Sequence, residues 1–148
     1  MAAFVETSES SARQLQLSGI LQGANSEDIY WSFVDPDRIC RWWADEAEAD
    51  PLVDGRLIVR WPTMGWTMRG RYTDLVPNRV VAFTWSWDHE PDTPVRTVSI
   101  RIEADAAGAR LTLNHGDYGP EEAEERNSHL EGWLFFLPRL AAVLSPAS

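Results

Sequence analysis

The chain has 148 residues, 44% hydrophobic and 24% charged, enough for one domain with a real core and unlike a disordered or fibrous protein. All 13 basic residues are arginine and they face 23 acids, for a formal net charge of −10. Such a surface repels phosphate backbones and anionic lipid, which argues against nucleic-acid and membrane partners.

The N-terminal stretch through Gln14 is polar and carries neither a basic nor an apolar leader region, so the expectation is no signal peptide, a frayed start and a cytoplasmic location. Arg13 to Gln22 alternates, with Leu15, Leu17 and Ile20 against polar neighbours, and predicts a half-buried strand. Gly23-Ala24-Asn25 breaks it. Asn25 or Ser26 caps a short helix through Val34, with Glu27 and Asp28 at its positive end. Asp35-Pro36 starts a second helix, an acid followed by Pro at the first helical position. That helix carries Ile39, Cys40, Trp42 and Trp43 before the acidic stretch Asp45 to Asp50 ends it.

From Asp54 onward the hydrophobic period changes from about 3.6 to 2. Leu57, Val59 and Trp61 alternate with Arg56, Ile58 and Arg60. After the turn Pro62-Thr63-Met64-Gly65, one face carries Trp66, Met68, Gly70 and Tyr72. Pro77-Asn78 makes the next turn, and Val81, Phe83, Trp85 and Trp87 line one face of the strand beyond it. Asp88 to Pro94 is a loop. Val98, Ile100 and Ile102, then Leu111, Leu113 and His115, complete five strands joined as an antiparallel meander. Gly119-Pro120 and the acids Glu121, Glu122, Glu124 and Glu125 open a last helix. Its apolar stripe is His129, Trp133, Phe136, Leu137, Leu140 and Leu144. Pro138 falls inside it, at a cost of about 3 kcal/mol or a kink. The expected architecture is α+β: a curved antiparallel sheet wrapped around the long C-terminal helix, with two short helices after the first strand.

Three segments resemble the helix-grip, START-like (SRPBCC, birch-pollen-allergen-like) superfamily. Within it, the chain is most similar to the family homologous to the C-terminal domain of the activator of the heat-shock-protein-90 ATPase. They are VDPDRICRWW (Val34 to Trp43), GRYTDLVPNRVVAFTW (Gly70 to Trp85), and ARLTLNHGDY followed by SHLEGWLFFLPRL (Ala109 to Tyr118 and Ser128 to Leu140). The resemblance spans residues 13 to 144 and implies one START-like domain over 1–148 with its ordered core there. Pro138 departs from the family pattern, which usually has a helix-compatible residue at that place. Such a fold hosts ligand carriers, polyketide cyclases and co-chaperone domains, so it speaks to architecture more than to activity.

Eight tryptophans are far more than a core of this size uses, and they point to an aromatic cavity, an interface, or both. The aromatic set on the expected concave face is Trp42, Trp43, Trp61, Trp66, Phe83, Trp85, Trp87, Trp133 and Phe136, with Met64 and Met68 as adaptable apolar surface. These rings either line a hole or fill it. Trp43, Trp85 and Trp133 fall in family motif positions and suit structural roles; Trp61, Trp66 and Trp87 suit ligand specificity. His115 with Asp117, and His129 with Glu125 one helical turn away, are acid–base candidates, against a plain reading as hydrogen-bonded core histidines. Tyr72 is the one polar anchor that alternation turns inward; Arg69 and Asn114 face out. Cys40 reads as a buried thiol rather than a nucleophile. Asp45, Glu46, Glu48 and Asp50 read as a solvated face. No metal site and no cofactor are expected.

Three functions remain open. The leading one is a binding protein for a small apolar or aromatic molecule, using Trp42, Trp61, Met64, Trp66, Met68, Tyr72, Phe83, Trp85, Trp87, His115, Trp133 and Phe136. The second is a cyclase- or dehydratase-type enzyme with His115, His129 or Tyr72 moving a proton. The third, carried by the resemblance, is a protein-interaction module with a chaperone partner. An aromatic rim would also suit a homodimer.

Overall fold

The structure, a computed structural model, describes residues 4–145; residues 1–3 and 146–148, the two ends of the expected 1–148 domain, lie outside the described residues. The elements run β1 (Val5–Glu6), β2 (Gln14–Gln22), α1 (Ser26–Val34), α2 (Pro36–Ile39), β3 (Glu46–Ala49), β4 (Arg56–Trp61), β5 (Trp66–Val76), β6 (Val80–Trp87), β7 (Arg96–Asp105), β8 (Gly108–Gly116) and α3 (Ala123–Leu144). One antiparallel sheet holds the strands in the order β1-β2-β8-β7-β6-β5-β4-β3. Helix α3 crosses its concave face. Trp133 reaches His115 on β8 and Trp85 on β6, while Phe136 meets Trp61 on β4, so strands far apart in the sheet close on one helix. This is the helix-grip architecture.

Local chemistry explains the starts and stops. Asn25 caps α1, its side chain accepting from the Asp28 N–H at 2.8 Å. The β4–β5 hairpin turns through Pro62–Met64 and closes on Gly65 at φ 69°, a left-handed conformation that glycine adopts without penalty. At Gly70 the β6 backbone comes so near that a Cβ would stand 1.9 Å from the Thr84 carbonyl oxygen. Inward alternation then builds the core. Leu15 and Leu17 of β2 pair across to His115 and Leu113 of β8, and all four are fully buried. At about 25 cal/mol per Å² of apolar surface removed from water, such pairs are the main favourable contribution to folding.

Several details differ from the sequence expectation. The first dozen residues are not simply a frayed end: Val5 and Glu6 pair with Ser18 and Leu17, and Phe4 is buried in the core. The acidic stretch contains strand β3, with Glu46 opposite Arg60 and Glu48 bonded to Arg60 at 2.7 Å. Its carboxylates do point to solvent, and charge on an edge strand discourages pairing with another chain. Helix α2 ends at Ile39, so Trp42 and Trp43 leave from the turn that follows it. Ile58, expected outward, is buried, with the long side chains of Glu48 and Arg69 directly opposite on either side. Cys40 is exposed rather than buried. Helix α3 continues through Pro138, which faces solvent.

Candidate functional site

At one end of the sheet, between α3, the β4–β5 hairpin and the loop after β6, lies an open groove of about 1050 Å³. Trp43, Trp61, Trp85, Trp87, Trp133 and Phe136 form its aromatic floor and walls. Met64, Trp66 and Phe135 stand at its mouth, 57%, 40% and 59% exposed. Register explains the convergence. Trp61 and Trp66 are directly opposed across the hairpin, and Met68 pairs with Trp87, which carries the same face onto β6. Trp43 enters from the α2 turn, where its carbonyl accepts the Trp61 indole N–H at 2.8 Å. Seven of the eight tryptophans make one continuous network, with neighbouring ring centroids 5.2–6.3 Å apart; Trp31 stands outside it.

His129, on the groove wall, stacks on His115 beneath the floor, with ring centroids 4.4 Å apart and planes within 6°. Trp133 Nε1 donates to His115 Nδ1 at 3.0 Å, which leaves the proton of the neutral ring on Nε2. That N–H is buried without a partner, and so is the indole N–H of Trp85, whose ring lies 4.7 Å from His115. His129 Nδ1 is 2.7 Å from the Tyr118 hydroxyl, and its Nε2 accepts from Trp87 Nε1 at 3.4 Å. Burial pushes both histidines down, His115 well below the usual range with help from the charges of His129 and Arg96, and His129 to about 4. Both rings are therefore neutral near pH 7, as close stacking requires.

Arg96 holds this end of α3 to the sheet. It is buried at the start of β7, donating from Nε to Glu125 at 2.9 Å and from Nη2 to the other Glu125 oxygen at 2.7 Å. It also bonds Glu122 and the Asp117 carbonyl, and its guanidinium lies 5.0 Å from the centre of the Tyr118 ring. These acids raise its pKa further, and the Glu122 carboxyl is held below its ordinary range. Neither Arg96 nor Tyr118 was among the candidates. The signal for Arg96 was present: it shares the parity of Val98, Ile100 and Ile102 and so points inward, toward the acids that open α3.

The groove brings together Trp61, Met64, Trp66, Trp85, Trp87, Trp133 and Phe136 of the expected ligand residues, and adds Trp43, Phe135, His89 and His129. Trp42, Met68, Tyr72, Phe83 and His115 are instead packed in the core and do not line it. The Trp42 indole N–H is spent on the Ser32 carbonyl at 2.9 Å. The Tyr72 hydroxyl donates to the Phe33 carbonyl at 2.7 Å, and burial raises its pKa far beyond that of a free phenol, which unsuits it to proton transfer. Asp117 is not a partner of His115; it turns outward to pair with Arg13. Glu125 is committed to Arg96. Arg69 faces out to Asp88 at 2.8 Å, and Asn114 accepts from Gln16 at 2.9 Å on the outer face. At Cys40, partial desolvation and the carboxylates of Asp37, Asp45 and Glu46 push the thiol up, so it is a poor nucleophile despite its exposure.

The fold and groove define a helix-grip protein. Residues 23–145 match the family of Activator of Hsp90 ATPase homolog 1-like proteins, and the chain belongs to that family. A search of the curated proteins gave no match. Among solved structures, it is similar to protein CV1439 from Chromobacterium violaceum, at 24% identity and TM-score 0.76, covering 93% of this chain and 100% of that one. Protein Ms6760 from Mycobacterium smegmatis is 16% identical with TM-score 0.80, over 97% of this chain and 98% of that one. DynU16, a protein of the dynemicin biosynthetic locus, is 21% identical with TM-score 0.71, over 89% of this chain and 46% of that one. At these identities the likeness is one of fold. Among the described residues, no helix is long and apolar enough to cross a membrane.

Proposed function

We propose that this protein binds a flat, largely apolar small molecule in the aromatic groove, and that it acts by binding rather than by catalysis. The observation that carries the reading is the groove itself: about 1050 Å³ left open among large rings, in a molecule whose other inward residues are buried. Ligand sites are typically concave and rich in aromatic side chains, as this groove is. The occurrence of a similarly folded protein in the dynemicin biosynthetic locus agrees with a small-molecule role. The proton-transfer alternative has less support, because Tyr72 is bonded to backbone, His115 is sealed beneath the floor, and both ring nitrogens of His129 are engaged by Tyr118 and Trp87.

Native mass spectrometry of freshly purified protein, with quenching of tryptophan emission by flat aromatic and fatty compounds, tests the reading. A co-purified small molecule or saturable quenching at micromolar concentration is expected. An empty mass together with no quenching by any compound refutes it.

A further inference from the structure

The aromatic floor does not face a neutral mouth. Six glutamates line the groove: Glu90, Glu121, Glu122, Glu124, Glu125 and Glu131. Among the described residues that line it, none is arginine, and the sequence has no lysine. Glu122 and Glu125 share the buried Arg96, so the six carboxylates and that guanidinium together carry a formal charge of −5. Helix-dipole compensation accounts for acids in the first turn of α3. It does not account for Glu131, two turns further along, or for Glu90, which comes from the loop after β6. Acids from two separate elements thus meet along the groove that the indoles line.

The floor carries a second, independent sign of a ligand. Trp85 is 6% exposed and lines the groove, yet its indole N–H has no partner, and the neighbouring His115 Nε2 is equally unpaired. A buried donor left unpaired is costly, and an acceptor atom on a molecule seated against Trp85 would satisfy the indole N–H, while His115 lies beneath the floor and out of reach.

We infer that the ligand is an organic cation: a flat aromatic amine whose protonated nitrogen sits at the glutamate rim while its rings stack on the tryptophans and an acceptor atom faces Trp85. This deepens the binding reading and rests on it. Two effects select such a molecule. A cation over an indole face is attracted by the ring quadrupole. Acids around a low-dielectric cleft also focus the field and concentrate counter-ions there. Neutral apolar molecules gain neither, and anions are repelled.

The test uses three probes with one ring system and different charge: anthracenylmethylammonium, anthracenylmethanol and anthracenecarboxylate. Each is titrated into the full-length protein at pH 7 with tryptophan quenching as the readout. The ammonium is expected to bind about tenfold more tightly than the alcohol in 0.01 M salt, and the carboxylate more weakly than either. In 1 M salt, where the screening length falls from about 30 Å to about 3 Å, the ammonium-to-alcohol ratio should shrink toward one. A variant with Glu90→Gln, Glu121→Gln, Glu124→Gln and Glu131→Gln removes the four exposed rim charges and leaves the Arg96 bonds intact. It should lose the preference for the ammonium and keep its affinity for the alcohol. Equal binding of ammonium and alcohol to the native protein overturns the charge inference and leaves the groove as a neutral site. A preference that survives in the four-fold variant also overturns it. Saturation by none of the three overturns the binding reading and this inference with it.

Discussion

Acidification between pH 7 and pH 5 should weaken this fold through its stacked histidines. In the folded chain the His129 pKa is about 4, against an ordinary 6.5, and His115 is displaced in the same direction. The unfolded chain therefore binds more protons than the folded one below about pH 6.5. Stability that depends on neutral rings is fully present above that pH and is lost as pH falls toward the folded values. For His129 alone, the loss between pH 7 and pH 5 is about 2 kcal/mol. His115 adds to it, since a second charge would lie 4.4 Å away, centroid to centroid. Carboxylates with lowered pKa values, such as those of Glu6 and Glu122, lose their contribution only at more acid pH, outside this window. Urea unfolding followed by tryptophan emission at the two pH values is the assay. With an m-value of about 2 kcal/mol/M, the midpoint should drop by about 1 M. The double variant His115→Gln/His129→Gln should lose most of that pH dependence, whatever its absolute stability. A midpoint that does not move in the native protein, or a slope retained in the double variant, refutes the argument.

Other expectations test the frame around the groove. Gly70→Ala places a methyl 1.9 Å from the Thr84 carbonyl oxygen and should disrupt the β5–β6 pairing, read as loss of cooperative unfolding or insoluble expression. Arg96→Met should destabilise the fold by leaving Glu122 and Glu125 unpaired at the start of α3, read as a lower midpoint in chemical denaturation. Tyr72→Phe should cost about 1–2 kcal/mol through the orphaned Phe33 carbonyl yet leave groove affinity unchanged, which separates a core residue from a lining one. Pro138→Ala restores a helix donor at an exposed position and should raise Tm, with a gain of about 1–3 kcal/mol; a fall would mean the helix uses its proline.

Period-2 alternation made the strands from β4 to β8 legible, because each has one buried face and, apart from residues such as Ile58, a wetter one opposite. The two elements that escaped are short and peripheral. Strand β3 reads Glu-Ala-Glu-Ala, a composition with little strand propensity, and it pairs because β4 offers an open edge with Arg60 in place. Strand β1 is two residues long, below the reach of any periodicity. For the site, alternation gives the face on which a ring lies but not its height along the strand. Tyr72, Phe83, Trp85 and Trp87 are all inward; only the last two lie far enough toward the groove end to line it. Trp42 and Trp43 are adjacent in sequence and stacked in space, yet only Trp43 reaches the groove. The acidic mouth was visible as a helix start; its second role depends on Glu90 arriving from another element.

The tryptophan network has an optical consequence. Rings 5.2–6.3 Å apart exchange excitation energy far faster than they emit, so light absorbed anywhere in the seven-membered set migrates before it is lost. Trp85 and Trp87 lie in the middle of that set and on the groove wall at once. A single acceptor lodged there drains the whole array, to which Trp31, in ring contact only with Tyr30, does not belong. The fold thus carries a built-in reporter, in which occupancy of one groove is written into the fluorescence of nearly every indole.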